Sequence, residues 1–509
     1  MSFSWPAAFK KPKGARIAPR MTQAIEDHPL LAVVYPLVKQ SAVYLVGTGL
    51  VGLGNFLLVP LFTRYLTLAD FGVYSLIEIA LLITVTMAQL GMGTSYVRWY
   101  AESAAARRGE LLATCGFAAV TAGAGAGCVL VLLAGSLGFR WLGPLHGMQW
   151  IFLPLVIFKN LQGLLFCVLQ ASQRATAYSA AAATRLLALS GAGIWFVAVH
   201  REGIRGVLFS WLVGDSVCLL LLLVFCVPGQ RLRVDLALLK PILKYGYPLV
   251  WSVFMGLLLD ASCRFFLAKY QSLAEVGLYA IGIKITGIFA MGFLQPFGSA
   301  WIGIAFSIAH RPNAPVTYTK ILGYALVVAM FLIAAAILFG PYLVVLFAGR
   351  AYLSATRLLP WVLLPIALRL LEYWGSLPFY LKYETRWLGP LATVGVLVCF
   401  ALNALLVPRF GVFGAAWAWV GALAANIFVL TLAARRYFPL PIDWKTAGFA
   451  ASLWAAALVE SRVTAGLSPL SYFCVSSVTV ALLLLACVGY FHRDVRVSRS
   501  LFTEGAYAD

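Results

Sequence analysis

The chain has 509 residues, of which 62% are hydrophobic and 11% charged, with a mean hydropathy of +0.91. Soluble domains run near half apolar and a quarter charged, so this composition leaves too little polar surface to cover a soluble core. It excludes a soluble enzyme, a nucleic-acid binder or a disordered scaffold as the bulk of the chain and indicates a polytopic membrane protein. The 38 Lys and Arg against 18 Asp and Glu, a net charge of +20, are therefore read against the membrane, and no nucleic-acid partner is implied.

Residues 1–40 carry Lys10, Lys11, Lys13, Arg16 and Arg20 ahead of a short apolar stretch, 30–38, broken by Pro36. A cleaved signal peptide would place its apolar region nearer the start and follow it with small residues. A basic cytoplasmic tail is expected instead. About 20 apolar residues cross a bilayer core. By that measure fourteen spans follow, near 42–63, 72–96, 110–137, 148–171, 177–199, 206–227, 247–268, 277–298, 320–347, 357–380, 387–407, 411–434, 446–464 and 470–491. The expected fold class is thus all-α, a multi-pass membrane protein.

With the N-terminus inside, 24 Lys and Arg fall on the cytoplasmic side, nine on the other and five within spans. This bias, repeated loop after loop, places both termini in the cytoplasm. Beyond the N-terminal tail no connection exceeds about 20 residues, too few to fold alone, so any chemistry belongs within or between helices. The nine cysteines lie in apolar segments without a C-x-x-C pair, and the five histidines sit in or beside connections. No disulfide framework, metal site or cofactor is expected. Gly47-Thr-Gly49-Leu-Val-Gly52 spells G-x-G-x-x-G, but no strand precedes it and it lies inside an apolar span, so a dinucleotide site is excluded on context.

The sequence repeats itself. Arg64-Tyr-Leu-Thr-Leu-Ala-Asp-Phe-Gly-Val-Tyr74 matches Lys269-Tyr-Gln-Ser-Leu-Ala-Glu-Val-Gly-Leu-Tyr279 at five of eleven positions, at an offset of 205. A second echo, at an offset of 208, sets Gly203-Ile-Arg-Gly206 with Trp211 against Gly411-Val-Phe-Gly414 with Trp419. An offset of six spans is even, so the two halves insert the same way up, as parallel repeats about an axis along the membrane normal. The expected organisation is a tail (1–40), a six-helix lobe (41–228), a second six-helix lobe (229–440), an additional helix pair (441–492) and a cytoplasmic tail (493–509).

The run Pro60-Leu-Phe-Thr-Arg64-Tyr-Leu-Thr-Leu-Ala-Asp70-Phe-Gly72-Val-Tyr74 resembles the first-loop signature of bacterial polysaccharide-biosynthesis exporters of the O-antigen flippase type. Tyr245-Gly-Tyr-Pro248, and Val276-Gly-Leu-Tyr279 leading to Lys284, resemble the start of the second half and of the eighth span in the same family. The resemblance covers roughly residues 40–440 and departs at Cys263-Arg264, where an Asp-Arg pair is common. It implies the multidrug/oligosaccharidyl-lipid/polysaccharide superfamily and a flippase for undecaprenyl-pyrophosphate-linked oligosaccharides in the bacterial inner membrane. It further implies alternating access through a hydrated cavity, commonly driven by a proton or sodium gradient. The implied partners are the lipid-linked substrate, membrane lipids and other polysaccharide assembly proteins such as a polymerase or chain-length regulator. A multidrug exporter or a lipid II flippase shares the architecture, and a membrane-embedded polysaccharide polymerase or ligase is the rival from another class.

Charges inside a bilayer are costly and face a cavity or one another. The candidates for binding an anionic substrate are Arg264, Lys284, Lys159, Arg185 and Arg369, with Asn55 and Asn160 as candidate sugar contacts. Arginine suits phosphate through its two-pronged fork and lysine through its point charge. Asp260, Asp215 and Glu78 are the candidates for ion coupling. Two alternatives stay open. Asp260 with Arg264, and Arg369 with Glu372, are close enough on one helix to pair locally, and Lys159, Arg185 and Lys284 can reach Glu78 and Asp215 across helices or face an anion.

Overall fold

The computed structural model describes residues 56, 58–103, 107–136, 147–309, 314–382, 384–436 and 443–504. Every regular element among them is helical. A helical stretch at 58–65 leads to α1 (Leu68–Gln89) and α2 (Met92–Glu102). They are followed by α3 (Arg108–Ser136), α4 (Phe152–Ala171), α5 (Ala175–Gly193, running on as a π-helical turn to Val199) and α6 (Ile204–Cys226). The second half opens with α7 (Leu236–Tyr270), α8 (Leu273–Phe289) and α9 (Gln295–Ile308). It continues through α10 (Ala314–Leu338), the short α11 (Gly340–Ala348) and α12 (Leu359–Val362), then α13 (Leu364–Leu381) and α14 (Leu388–Ala434). The last pair is α15 (Trp444–Val463) and α16 (Pro469–Glu504).

Ten stretches among the described residues are long and apolar enough to cross a membrane, against the fourteen spans expected from the sequence. The difference has local causes. The expected span 42–63 lies mostly outside the described residues. Spans 247–268 and 446–464 fall on the helices α7 and α15, neither of which is among the ten. The longest stretch, α14, holds two expected spans. At 1.5 Å per residue its 47 residues would run about 70 Å, more than twice a bilayer core, and the helix breaks at Gly411, where φ is 54° and ψ −131°.

Both echoes in the sequence have a physical basis. In the first, Thr67 caps α1 by accepting from the Asp70 backbone N–H at 3.1 Å, and Ser272 caps α8 by accepting from Glu275 N–H at 3.3 Å. A small hydroxyl three residues ahead of an acid satisfies the free N–H groups of a helix start, and the acid complements its dipole. In the second, Gly203 adopts φ 59°, ψ −134° just before α6, nearly the conformation of Gly411. That region is closed to residues with a Cβ, and so both turns carry glycine.

Helices in lipid gain nothing from hydrophobic exclusion, so their contacts rest on close packing and on polar links. Phe62, Phe71, Tyr74 and Tyr352 interlock around α1 at ring separations of 5.2–5.9 Å. The last pair is seated on the second half: Trp454 Nε1 donates to the Pro360 carbonyl at 3.0 Å, and Tyr490 of α16 stacks on Phe449 of α15 at 4.6 Å. The expected single span 72–96 is broken, since Leu90 (φ 47°) and Gly91 (φ 71°) both turn left-handed between α1 and α2.

Candidate functional site

A cavity of about 480 Å³ opens among α1, α4, α5, α6 and α7, a volume within the range of small-molecule sites. Its charged wall is formed by Glu78 of α1, Lys159 of α4, Arg185 of α5 and Arg264 of α7, with Tyr74, Gln162 and Trp211 between them. Lys159, Arg185 and Asp215 each stand about halfway along their spans, Gln149–Ala171, Ala175–Val199 and Ile204–Cys226. At that depth an unpaired charge is expensive, so their partners decide what the site can do.

Asp215 is buried behind the wall and serves two cations. Lys159 Nζ lies 2.8 Å from Oδ2 and Arg185 Nε 2.7 Å from Oδ1. Gln162 donates to the backbone carbonyl of the same residue at 2.7 Å, tying α4 to α6. Glu78 accepts from Lys284 Nζ of α8 at 2.6 Å and from the Tyr74 hydroxyl at 3.2 Å. The rings also face the ammonium groups, Lys159 over Trp211 at 5.6 Å and Lys284 over Tyr74 at 5.4 Å, both within the reach of a cation–π contact.

Arg264 differs from the other cations. It is 7% exposed, and Nη1 donates to the Ser75 carbonyl at a long 3.4 Å. Its Nε is buried without a hydrogen-bond partner, and no carboxylate among the described residues forms an ion pair with it. Glu78, the acid that lines the same cavity, is already engaged by Lys284 and Tyr74. Among the described residues around the cavity, Lys159, Arg185, Arg264 and Lys284 face Asp215 and Glu78 alone, a formal excess of two positive charges. A buried guanidinium without a carboxylate is the arrangement that an entering anion would stabilise.

The remaining sequence candidates lie elsewhere. Asp260 does not pair with Arg264 one turn along α7. Arg369 Nη2 of α13 instead reaches both its oxygens, at 3.1 and 3.3 Å, and Trp419 Nε1 donates to Oδ1 at 2.9 Å. Arg369 also holds Glu372 at 3.2 Å, and Asn426 donates to that carboxylate at 3.2 Å. Arg369, expected as a substrate contact, is therefore satisfied by two acids and is absent from the cavity wall, because the interhelical geometry outcompetes the local spacing. Asn160 is likewise absent from the wall. It is buried, and its amide nitrogen donates to the Ala119 carbonyl at 2.7 Å and the Ala88 carbonyl at 3.4 Å, linking α4 to α3 and α1. Asn55 lies outside the described residues. Tyr74 and Trp211, which the sequence marks only as members of the repeats, line the cavity with Phe62 and Phe166; intramembrane charge alone could not single them out.

The fold and the site together define a multi-pass, all-helical membrane protein with a charged mid-membrane cavity, the class of the transporters. The sequence signature described as "Polysaccharide biosynthesis protein" matches residues 37–309, and the chain belongs to that family. No curated protein sequence matches it. Among solved structures, the lipid II flippase MurJ in an inward closed conformation is similar over 89% of this chain and 99% of its own, with a TM-score of 0.71 and 12% identity. A multidrug resistance MATE family transporter of the MOP superfamily, inward-facing, is similar over 77% of this chain and 93% of its own, with a TM-score of 0.55 and 15% identity. The MATE transporter VcmN of Vibrio cholerae gives 0.54 and 15% over 80% of this chain and 98% of its own. At these identities the likeness concerns the fold, which is that of the MOP superfamily.

Proposed function

We propose that the chain is a flippase that carries undecaprenyl-pyrophosphate-linked oligosaccharides across the bacterial inner membrane for synthesis of a surface polysaccharide. Both termini lie in the cytoplasm, other polysaccharide assembly proteins act beside it, and the reaction is transport without covalent chemistry. The carrying observation is Arg264, a buried guanidinium in a cavity with surplus positive charge and no carboxylate of its own. The head of a lipid-linked sugar bears a pyrophosphate, and its oxygens match the guanidinium fork and the neighbouring ammonium groups. Lys284 and Arg264 come from the second half of the chain, whereas Glu78 and Ser75, which they hold, come from the first. An anion that competes for these two cations loosens links between the halves, as alternating access requires. A cation exporter would need the opposite charge balance in this cavity.

The test is the sidedness of the lipid-linked oligosaccharide in cells lacking the gene, read with a membrane-impermeant sugar-modifying reagent. Accumulation on the cytoplasmic face, relieved by the wild type and not by Arg264→Ala, is the expected outcome. Normal sidedness with unpolymerised sugar outside would replace the proposal with a polymerase or assembly role.

A further inference from the structure

A second polar pocket lies at one end of the first half, among the ends of α2, α4 and α6 and the start of α3. Its volume is about 50 Å³. That is room for a few water-sized groups, hence for one phosphoryl group, whereas drug-sized ligands take roughly 300–1,000 Å³. Arg108 and Arg174 stand in its wall with Tyr100, Ser172 and Gln230, and no carboxylate lines it among the described residues. Arg108 stacks on the Tyr100 ring at 4.1 Å and donates from Nη1 to the Tyr100 hydroxyl at 3.2 Å, while its Nε is buried without a hydrogen-bond partner. Arg174 Nη1 donates to the Phe225 carbonyl at 2.6 Å, which fixes the start of α5 to the end of α6. Neither arginine forms an ion pair among the described residues. The depth of the pocket follows from the helices that carry it. On α4, Val168 and Leu169 come nine and ten residues after Lys159, about 14–15 Å further along. On α6, Cys226 comes eleven residues after Asp215, about 16 Å. Lys159 and Asp215 stand at mid-span, and half of a bilayer core is about 15 Å, so the pocket lies at the level where phospholipid headgroups begin.

We infer that this pocket is a binding site for a phosphate group, carried by a phospholipid headgroup or free in solution, and separate from the mid-membrane cavity. Two guanidinium groups without carboxylates offer charge-assisted donors to phosphate oxygens, and the buried Nε of Arg108 gains the acceptor it lacks. The depth favours the headgroup, whose acyl chains hold its phosphate at this level at an effective concentration that free phosphate lacks. Arg174 and Gln230 are exposed, so the pocket opens to the surroundings through them. The site also bears on a contact between the halves. From α2, whose Tyr100 seats Arg108, Ser95 Oγ donates to the Ile242 carbonyl of α7 at 2.9 Å, and Arg98 lies over the Tyr245 ring at 4.6 Å. A phosphate held by Arg108 steadies the end of α2 and with it this grip on the first helix of the second half. The inference holds whatever the mid-membrane cavity carries.

In the experiment, purified full-length protein in detergent is titrated with short-chain phosphatidylglycerol, with the matching diacylglycerol, which lacks the phosphate, and with inorganic phosphate. Bound copies are counted by native mass spectrometry. Arg108→Gln/Arg174→Gln is compared with Arg435→Gln/Arg436→Gln, which removes two charges at exposed positions just past α14, and with Arg264→Ala. Arg174→Gln alone, at an exposed position, takes the place of the first variant if that does not fold. The expected result is one saturable copy of phosphatidylglycerol whose Kd weakens at least tenfold in Arg108→Gln/Arg174→Gln, stays within twofold of wild type in the other two variants, and is not displaced by diacylglycerol. If inorganic phosphate binds with the same dependence on the two arginines and displaces the lipid at equal concentration, the site is one for free phosphate. If phosphate does not displace the lipid, the headgroup is the occupant. Binding that ignores Arg108 and Arg174, weakens equally in Arg435→Gln/Arg436→Gln, or is lost in Arg264→Ala overturns the inference, as does displacement by diacylglycerol.

Discussion

Gly72 of α1 and Gly277 of α8 face each other where the two helices cross. A Cβ on Gly72 would lie 2.1 Å from the carbonyl oxygen of Leu273, and one on Gly277 would lie 2.2 Å from that of Leu68. Both glycines and both leucines are related by the same sequence offset of 205. Each helix thus offers the other an equivalent contact, as two copies do across a two-fold axis. Glu78 and Lys284, each about two turns further along these helices, carry the ion pair that closes the same junction. The motif that opens each half is therefore a device for joining the halves: a hydroxyl cap, an acid, and a glycine one turn in.

Filling that crossing should separate the helices. Gly72→Ala and Gly277→Ala are each expected to cost about 1–3 kcal/mol, since the obstructing atoms are backbone and cannot rotate away. Because the contact is reciprocal, the two variants should behave alike in thermal unfolding of the detergent-solubilised protein. A large loss in one with none in the other would contradict the symmetric crossing.

Arg264 and Arg369 should respond in opposite ways to the same change. Arg264→Met removes a buried charge that forms no ion pair among the described residues, so melting temperature is expected to hold or rise while transport is lost. Arg369→Met leaves Asp260 and Glu372 without their shared cation. A loss on the order of 1–2 kcal/mol is expected, less than for a fully buried pair because Asp260 is partly open to solvent. Adding Asp260→Asn to the second variant should restore part of it. Equal destabilisation by the two arginine variants would remove the distinction drawn between them.

Asp215→Asn leaves Lys159 and Arg185 facing each other without their common anion, and the expected cost is about 3–5 kcal/mol. Lys159→Met in that background relieves the repulsion, so the double variant should be more stable than Asp215→Asn alone. Strict additivity in this cycle, followed by chemical denaturation, would mean that the three side chains do not act together.

Gly203 and Gly411 separate backbone strain from crowding. Both hold φ near +55°, but the space around Gly203 is open within 4 Å, whereas a Cβ on Gly411 would meet a Glu275 carboxylate oxygen at 2.8 Å. Gly203→Ala is expected to lose about 1–3 kcal/mol from strain alone. Gly411→Ala should lose at least as much, and shortening the side chain with Glu275→Ala should recover only the excess. Melting curves of the three variants decide this.

The sequence by itself determined that the chain crosses a membrane many times, that it is helical, that it carries two short echoes at nearly one offset, and which charges fall within its apolar stretches. These properties follow from hydropathy, from the even offset of the echoes and from the cost of burying charge, all of which act along the chain. It left open which charge meets which. Arg264 and Asp260 share a helix face four residues apart, and Arg369 and Glu372 lie three apart, yet only the second pair forms, because α13 and α14 bring Arg369 and Trp419 to Asp260 from outside. Asn160 and Arg369 had equal claims to a cavity as intramembrane polar residues, and packing turned both away from it. The lone guanidinium, the shared partner of Lys159 and Arg185, and the pocket walled by Arg108 and Arg174 exist only once helices distant in sequence are neighbours. Ion pairs and cavities depend on separations of a few ångströms between chain segments, and those separations are set by tertiary structure.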